Sequence, residues 1–129
     1  MTTASPPPPP RPLTDRERGA LTALLERGTG SAGGRPVTAE DRARWSAQVP
    51  GTLAGRRCGC GTCPSVELTD AAGRTPASGD GRVVLEASAP GALLLLFVDE
   101  DRLSYLELAP LDDAGVAEFP DAGQVRPPS

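Results

Sequence analysis

The chain has 129 residues, a formal net charge of −4 and no histidine. Its length fits a single domain, and the absence of histidine excludes Ser-His and Cys-His catalytic pairs within the chain, because both need an imidazole base. Residues 1–64 carry nine arginines and five acidic residues, whereas residues 65–129 carry four arginines and twelve acidic residues. The acidic second half argues against a nucleic-acid partner, since phosphate binding needs a basic surface.

The sequence gives no indication of export or of membrane insertion. Its first residues lack the basic start and the apolar run of a secretory signal. The longest apolar run, Ala92–Val98, is far shorter than the ~20 residues that span a bilayer. Three cysteines within six positions make a poor disulfide framework and fit a reducing compartment. We therefore expect a cytoplasmic protein with no membrane association.

Three regions are predicted along the chain. Residues 1–12 are rich in proline, which has no N–H group for a helix or a sheet, and are expected to form a disordered leader. Residues 13–120 are expected to form a single α+β domain with a Gly-rich linker at 28–36, and residues 121–129 a disordered tail. The linker matches GxGxxG but follows a helix rather than a strand, so it does not indicate a dinucleotide-binding turn.

Two helices are predicted in the first half of the chain. Thr14 and Glu17 have the spacing of a capping box, which starts the first helix. Its apolar stripe, at helical spacing, consists of Ala20, Leu21, Leu24 and Leu25. Thr38 starts the second helix, whose buried side is predicted to contain Ala43, Trp45 and Val49.

Four strands are predicted in the second half, at Ser65–Thr69, Arg82–Ala87, Ala92–Val98 and Leu103–Leu108. Turns rich in Gly, Pro and Asp separate them, which is typical of an antiparallel meander. The predicted fold class is therefore α+β, with two N-terminal helices packed on a four-stranded antiparallel meander sheet. The third strand is apolar on both faces, which predicts a central position and a second face that is also partly covered.

Alternation along these strands predicts which side chains share a face. The face toward the helices is expected to contain Val66, Leu68, Leu85, Leu106 and Leu108. The opposite face is expected to contain Glu67, Glu86, Tyr105 and Glu107. This acidic face is interpreted either as a binding surface for a basic partner, as paired carboxylates for acid/base chemistry, or as an ordinary solvated sheet face.

The most distinctive local feature is the cluster Cys58, Cys60 and Cys63, with glycines between the cysteines. Three thiols at this spacing can converge on a soft metal such as zinc, with a fourth ligand from Asp70, Asp80, water or another chain. The Cys60-x-x-Cys63 spacing also matches a redox dithiol, although a strand rather than a helix follows it. The third interpretation is a tight turn whose thiols are packed and reduced.

Two segments carry a resemblance to known proteins. These are the Cys-Gly-rich turn before a strand at 57–68 and the Asp-tipped hairpin at 95–107, which ends in Leu103-Ser104-Tyr105-Leu106-Glu107. Over residues 13–109 the chain resembles a group of small uncharacterised bacterial proteins that pair these two motifs and carry no known activity. Thr62 is inserted relative to the compact CGCGCPS-like form of that turn, which shifts Cys63 by one position.

The sequence as a whole predicts a non-enzymatic protein-binding or accessory domain. A protein partner or self-association is the expected interaction, with no nucleic acid and no cofactor other than zinc. The alternative is a thiolate zinc-binding or thiol redox protein that uses Cys58, Cys60 and Cys63.

Overall fold

The computed structural model describes residues 9–32, 34–60, 63–77, 81–112 and 115–128. The helices are α1 (Asp15–Arg27) and α2 (Ala39–Ser46), with short 3₁₀ helices at Val49–Gly51 and Ala122–Gln124. The strands are β1 (Arg11–Pro12), β2 (Ser31–Ala32), β3 (Arg35–Pro36), β4 (Leu53–Arg57), β5 (Val66–Thr69), β6 (Val83–Ala89), β7 (Ala92–Asp99) and β8 (Arg102–Pro110). In these ranges no helix is both long and apolar enough to cross a membrane.

Six strands form one antiparallel sheet in the order β1-β4-β5-β8-β7-β6, and β2 and β3 form a small separate hairpin. The predicted α+β class with an antiparallel sheet is confirmed, and β7 lies between two neighbours as expected. The four-stranded meander is wrong, because β1 and β4 extend the sheet and β5 pairs with β8 instead of β6. Sequence patterning misses β4 because only Ala54 of its five residues is buried.

Both helices begin as predicted, at capping boxes. The Thr14 hydroxyl accepts from the Glu17 N–H at 3.1 Å, and the Glu17 carboxylate accepts from the Thr14 N–H at 2.8 Å. Thr38 and Asp41 exchange the same two bonds at 3.0 Å. Arg11 of β1 adds two hydrogen bonds to the Glu17 carboxylate, each 2.9 Å long. The start of α1 is thereby tied to the outermost strand of the sheet.

The core lies between α1 and one face of the sheet, which we call the inner face. The predicted apolar stripe of α1 is buried, as are Val66, Leu68, Leu85, Leu94, Leu96, Leu106 and Leu108 of the sheet. In α2, Trp45 is buried as predicted and donates from Nε1 to the Asp101 carboxylate at 2.8 Å. The expectation for Ala43 is wrong: it is exposed, because the buried side of this short helix is formed by Asp41 and Trp45, four residues apart.

β6 is the last strand at one side of the sheet. Its outer edge pairs with two segments that the sequence does not predict to be ordered. In the Gly-rich linker, Thr29 exchanges two backbone hydrogen bonds of 2.9 Å with Glu86. In the tail, Arg126 pairs with Ser88 in the same way, and Val125 is buried. This pairing satisfies backbone N–H and C=O groups of the edge strand that another chain could otherwise bind.

The two ends of the domain differ from the predicted boundaries. Arg11 and Pro12, placed in the disordered leader by sequence, pair with Ala54 and Leu53, while residues 1–8 lie outside the described ranges. In the predicted tail, residues 122–124 form a 3₁₀ turn that packs on α1. A few backbone pairs and one buried valine order these segments. Contacts of this kind leave no trace in the amino-acid composition, so the sequence does not predict them.

The Glu17 carboxylate predicts a pH dependence of stability. Burial alone would raise its pKa, but hydrogen bonds from Arg11 and from the Thr14 N–H hold the pKa below its ordinary value of 4.5. A depressed folded-state pKa gives stability that is present above pH 4.5 and is lost as the pH falls below it. We expect Glu17→Gln to cost about 1 kcal/mol at pH 7, as for loss of a charged hydrogen-bond partner, and less at pH 3.

Urea unfolding at both pH values measures this difference. Glu26→Gln, on the exposed side of the same helix, is the matched control and should change the free energy of unfolding little. A Glu17→Gln cost that is the same at pH 7 and pH 3 would contradict the role given to the ionised carboxylate.

Candidate functional site

The three cysteines lie in the loop between β4 and β5, and the structure brings their sulfur atoms together. The loop closes where the Cys58 N–H donates to the Ser65 carbonyl at 2.9 Å. All three Sγ atoms lie within 4.8 Å of one another, and those of Cys60 and Cys63 are 3.2 Å apart. None of the three forms a disulfide. The convergence expected from the spacing is therefore present.

Ser65 connects this loop to the middle of the sheet. Its buried hydroxyl accepts from the Leu108 N–H of β8 at 2.9 Å and donates to the Leu108 carbonyl at 3.4 Å. The Cys63 thiol donates to the same hydroxyl at 3.3 Å. Sequence reasoning does not identify Ser65, because a single serine after a proline belongs to no recognisable pattern. It nevertheless determines where the end of the thiol loop lies.

Tyr105 links the thiols to the acidic face that the sequence predicts separately. It pairs with Glu67 on β5 and with Phe97 on β7, on the face of the sheet away from α1, which we call the outer face. Its hydroxyl is close enough to Cys58 for that thiol to influence its ionisation. Burial, together with negative charge at nearby groups that include Cys58, raises the pKa of Tyr105 to about 12. The two predicted sites therefore meet at one side chain.

The electrostatics of the thiols are set by their closeness to one another. The Cys60 N–H bonds to the Cys58 sulfur and favours its thiolate form, but hydrogen bonds with the other two thiols and burial outweigh it. The result is a raised pKa for Cys58. A cluster of this kind resists holding several negative charges, and a cation between the sulfur atoms would remove that repulsion.

Asp70 does not join the cluster, which corrects one of the predicted fourth ligands. It follows β5, whereas the thiols precede that strand. Its carboxylate accepts from the N–H groups of Ala72 and Arg74 at 2.9 Å and forms a 2.8 Å ion pair with Arg102. Asp80, the other predicted acid, lies outside the described ranges. Within those ranges the cluster contains three thiols and no carboxylate.

The outer face carries the other predicted site residues, at the positions that alternation gives them. One row across the sheet is Glu67, Tyr105, Phe97 and Val84, and the next is Glu107, Leu95 and Glu86. All seven are half-buried. Phe97 meets Tyr105 edge to face at 6.1 Å, and the Arg82 guanidinium lies 4.7 Å from the Phe97 ring centre.

In the described part of the chain, no arginine balances the three glutamates of this face. Among the ion pairs formed by described residues, none includes Glu67, Glu86 or Glu107. By contrast, seven acidic residues elsewhere in the described ranges are paired with arginines: Asp15, Glu17, Asp41, Asp70, Asp99, Asp101 and Asp121. The outer face therefore combines uncompensated negative charge with half-exposed apolar side chains.

Comparison with known proteins identifies no relative. No protein-family model, no curated protein and no solved structure matches the chain. The resemblance over residues 13–109 stays a prediction, and function is inferred from the geometry of the site.

The position of Ser65 gives a prediction for the thiol loop. Ser65→Ala leaves the buried Leu108 N–H without its partner, which costs about 1–3 kcal/mol of unfolding free energy. It also removes the hydrogen bond that holds Cys63, so maleimide should label the thiols faster. Urea unfolding and labelling rates measure the two effects.

Ser46→Ala is the control for this change. Ser46 is exposed at the end of α2, so its removal should leave both quantities nearly unchanged. Equal labelling rates in Ser65→Ala and the unaltered chain would show that Ser65 does not hold the loop.

Proposed function

We propose that this chain is a non-enzymatic binding domain whose thiols Cys58, Cys60 and Cys63 hold a thiophilic metal ion. The observation that carries the proposal is the distance of at most 4.8 Å between any two of the three sulfur atoms. Sulfur ligands lie about 2.3 Å from a zinc ion, which places two of them about 3.8 Å apart in a tetrahedral site. Only small movements of the side chains are needed to reach that geometry.

The backbone around the cysteines supports a site that is formed before an ion binds. The loop is closed by the bond from Cys58 to the Ser65 carbonyl, and Ser65 is fixed to β8. Because both ends of the loop are held, less conformational entropy is lost on binding than in an unanchored segment. A bound ion would cross-link the loop and stabilise the folded state.

The exposure of the thiols favours a metal site over the other two interpretations. Thiols that serve only as packing are usually buried, yet Cys60 is exposed and Cys58 and Cys63 are half-buried. A redox dithiol usually has a thiolate stabilised by the start of a helix, whereas a strand follows Cys60 and Cys63 here. Metal binding uses all three thiols, and the redox interpretation uses two.

Zinc binding tests the proposal. We expect protein prepared in reducing buffer without added chelator to take up one zinc ion per chain, measured by elemental analysis and by titration against a chromophoric chelator. Cys60→Ser should lower the zinc affinity by at least about 100-fold, since loss even of a ligand's supporting contacts costs 10–100-fold. The bound ion should also slow the labelling of the thiols by maleimide.

Asp70→Asn is the matched control, because the structure places this carboxylate away from the thiols. Its zinc affinity should equal that of the unaltered chain. A chain that stays metal-free under saturating zinc, with thiols that react at the same rate, would rule out zinc as the bound ion, and failure to bind any thiophilic ion would rule out the metal site.

A second candidate function is the docking of a basic protein segment on the outer face. It is favoured by the three glutamates without ion pairs and by the half-exposed apolar residues beside them. Charge complementarity of this kind gives specificity and speeds association, while the apolar side chains supply the area to be buried. Self-association through the basic first half of a second copy would use the same features.

Peptide titration followed by NMR tests this second candidate. A short peptide of alternating lysine and leucine should shift the amide signals of Glu86, Leu95 and Glu107, whereas a glutamate-leucine peptide should not. The double change Glu86→Gln and Glu107→Gln should weaken binding and its salt dependence. Exposed Glu26 and Glu40, changed together to Gln, are the control. Shifts confined to the helices would contradict the assignment.

A further inference from the structure

The thiol cluster differs from a structural zinc site in the number of its donors. Structural zinc is held by four protein ligands, almost always in a tetrahedron. The described residues supply three sulfur atoms at this place and no fourth donor of the usual kinds. The chain has no histidine and no other cysteine that could complete the set. The site is therefore a three-sulfur site so far as the described part of the chain is concerned.

Two side-chain oxygens that could be considered as a fourth ligand are already engaged in other contacts. The Ser65 hydroxyl is held by both backbone groups of Leu108. Asp70 is paired with Arg102 at the other end of β5. Neither of these oxygens is available as a fourth ligand without breaking a contact that the fold uses.

Three thiolates without nitrogen or oxygen donors match a softer ion than zinc. Thiolates bind Cu(I) as well as zinc, but three sulfur atoms leave a structural zinc ion one ligand short of its tetrahedron. We infer that this site prefers Cu(I) to zinc, with Cys58, Cys60 and Cys63 as its three ligands. This inference rests on the proposed metal site and narrows it to one ion.

The position of the site also fits an ion that is exchanged. Cys60 is exposed, so a thiolate of another molecule can approach the ion without unfolding the loop. Arg56 and Arg57 end β4 immediately before Cys58, and both are exposed. Their positive charge offsets part of the negative charge of three thiolates bound to a monovalent ion.

Competition between the two ions tests the inference. The full chain is titrated under anaerobic, reducing conditions with copper supplied as Cu(I) and, separately, with zinc, each against a chromophoric chelator of known affinity. We expect one Cu(I) per chain, tighter binding of Cu(I) than of zinc, and loss of pre-bound zinc when Cu(I) is added. Cys60→Ser should lower the Cu(I) affinity while the far-UV circular dichroism stays unchanged.

Two carboxylate variants test whether an acidic side chain is a fourth ligand. Asp80→Asn and the control Asp70→Asn should leave the Cu(I) affinity unchanged. If zinc binds as tightly as Cu(I), the preference for Cu(I) is overturned, while the proposed metal site stands. If Asp80→Asn weakens zinc binding, Asp80 is a fourth ligand and the three-sulfur description on which the inference rests is overturned. If neither ion binds, both the inference and the proposed metal site are overturned.

Discussion

The burial of alternate residues of the sheet against α1 fixes the direction of the side chains on the outer face. Neighbouring residues of a strand point to opposite faces, so burying Leu106 and Leu108 turns Tyr105 and Glu107 outward. Burying Leu68 turns Glu67 outward in the same way. A shift of one residue in the pairing of β5 with β8 would reverse this arrangement and place the glutamate in the core. The residues that form the outer face are therefore determined by which residues are buried on the inner face.

The thiol loop joins the outer face at the point where this alternation stops. Ser65 and Val66 are consecutive and both are buried, so the regular pleat begins only at Val66. The serine hydroxyl takes the Leu108 N–H that a regular strand would have paired through its backbone. The chain therefore leaves the sheet early, turns at Pro64, and brings Cys63 beside Cys58 and Tyr105. The buried Ser65 hydroxyl thus connects Cys63 of the thiol cluster to β8.

The parts of the fold that depend on neighbours in sequence could be predicted, and those that depend on distant pairs could not. The capping boxes of Thr14 and Thr38, the stripe of α1 and the β6–β7–β8 meander all follow from local spacing. The pairing of β5 with β8 is non-local, and its register is not encoded in either strand alone. The cysteine spacing predicts that thiols can converge, but it cannot show that Asp70 is bound by Arg102 at the far end of the strand. Likewise, the link between Cys58 and Tyr105 exists only once both strands are in place.

X-ray absorption at the metal edge of the loaded chain is the most direct test of a thiolate site at Cys58, Cys60 and Cys63. The sulfur geometry predicts a first shell made of sulfur, with three scatterers from this chain at about 2.3 Å. The same spectrum from Cys60→Ser should lose one sulfur scatterer. A first shell dominated by nitrogen or oxygen, or a chain that retains no ion after gel filtration, would contradict the assignment of the three cysteines as metal ligands.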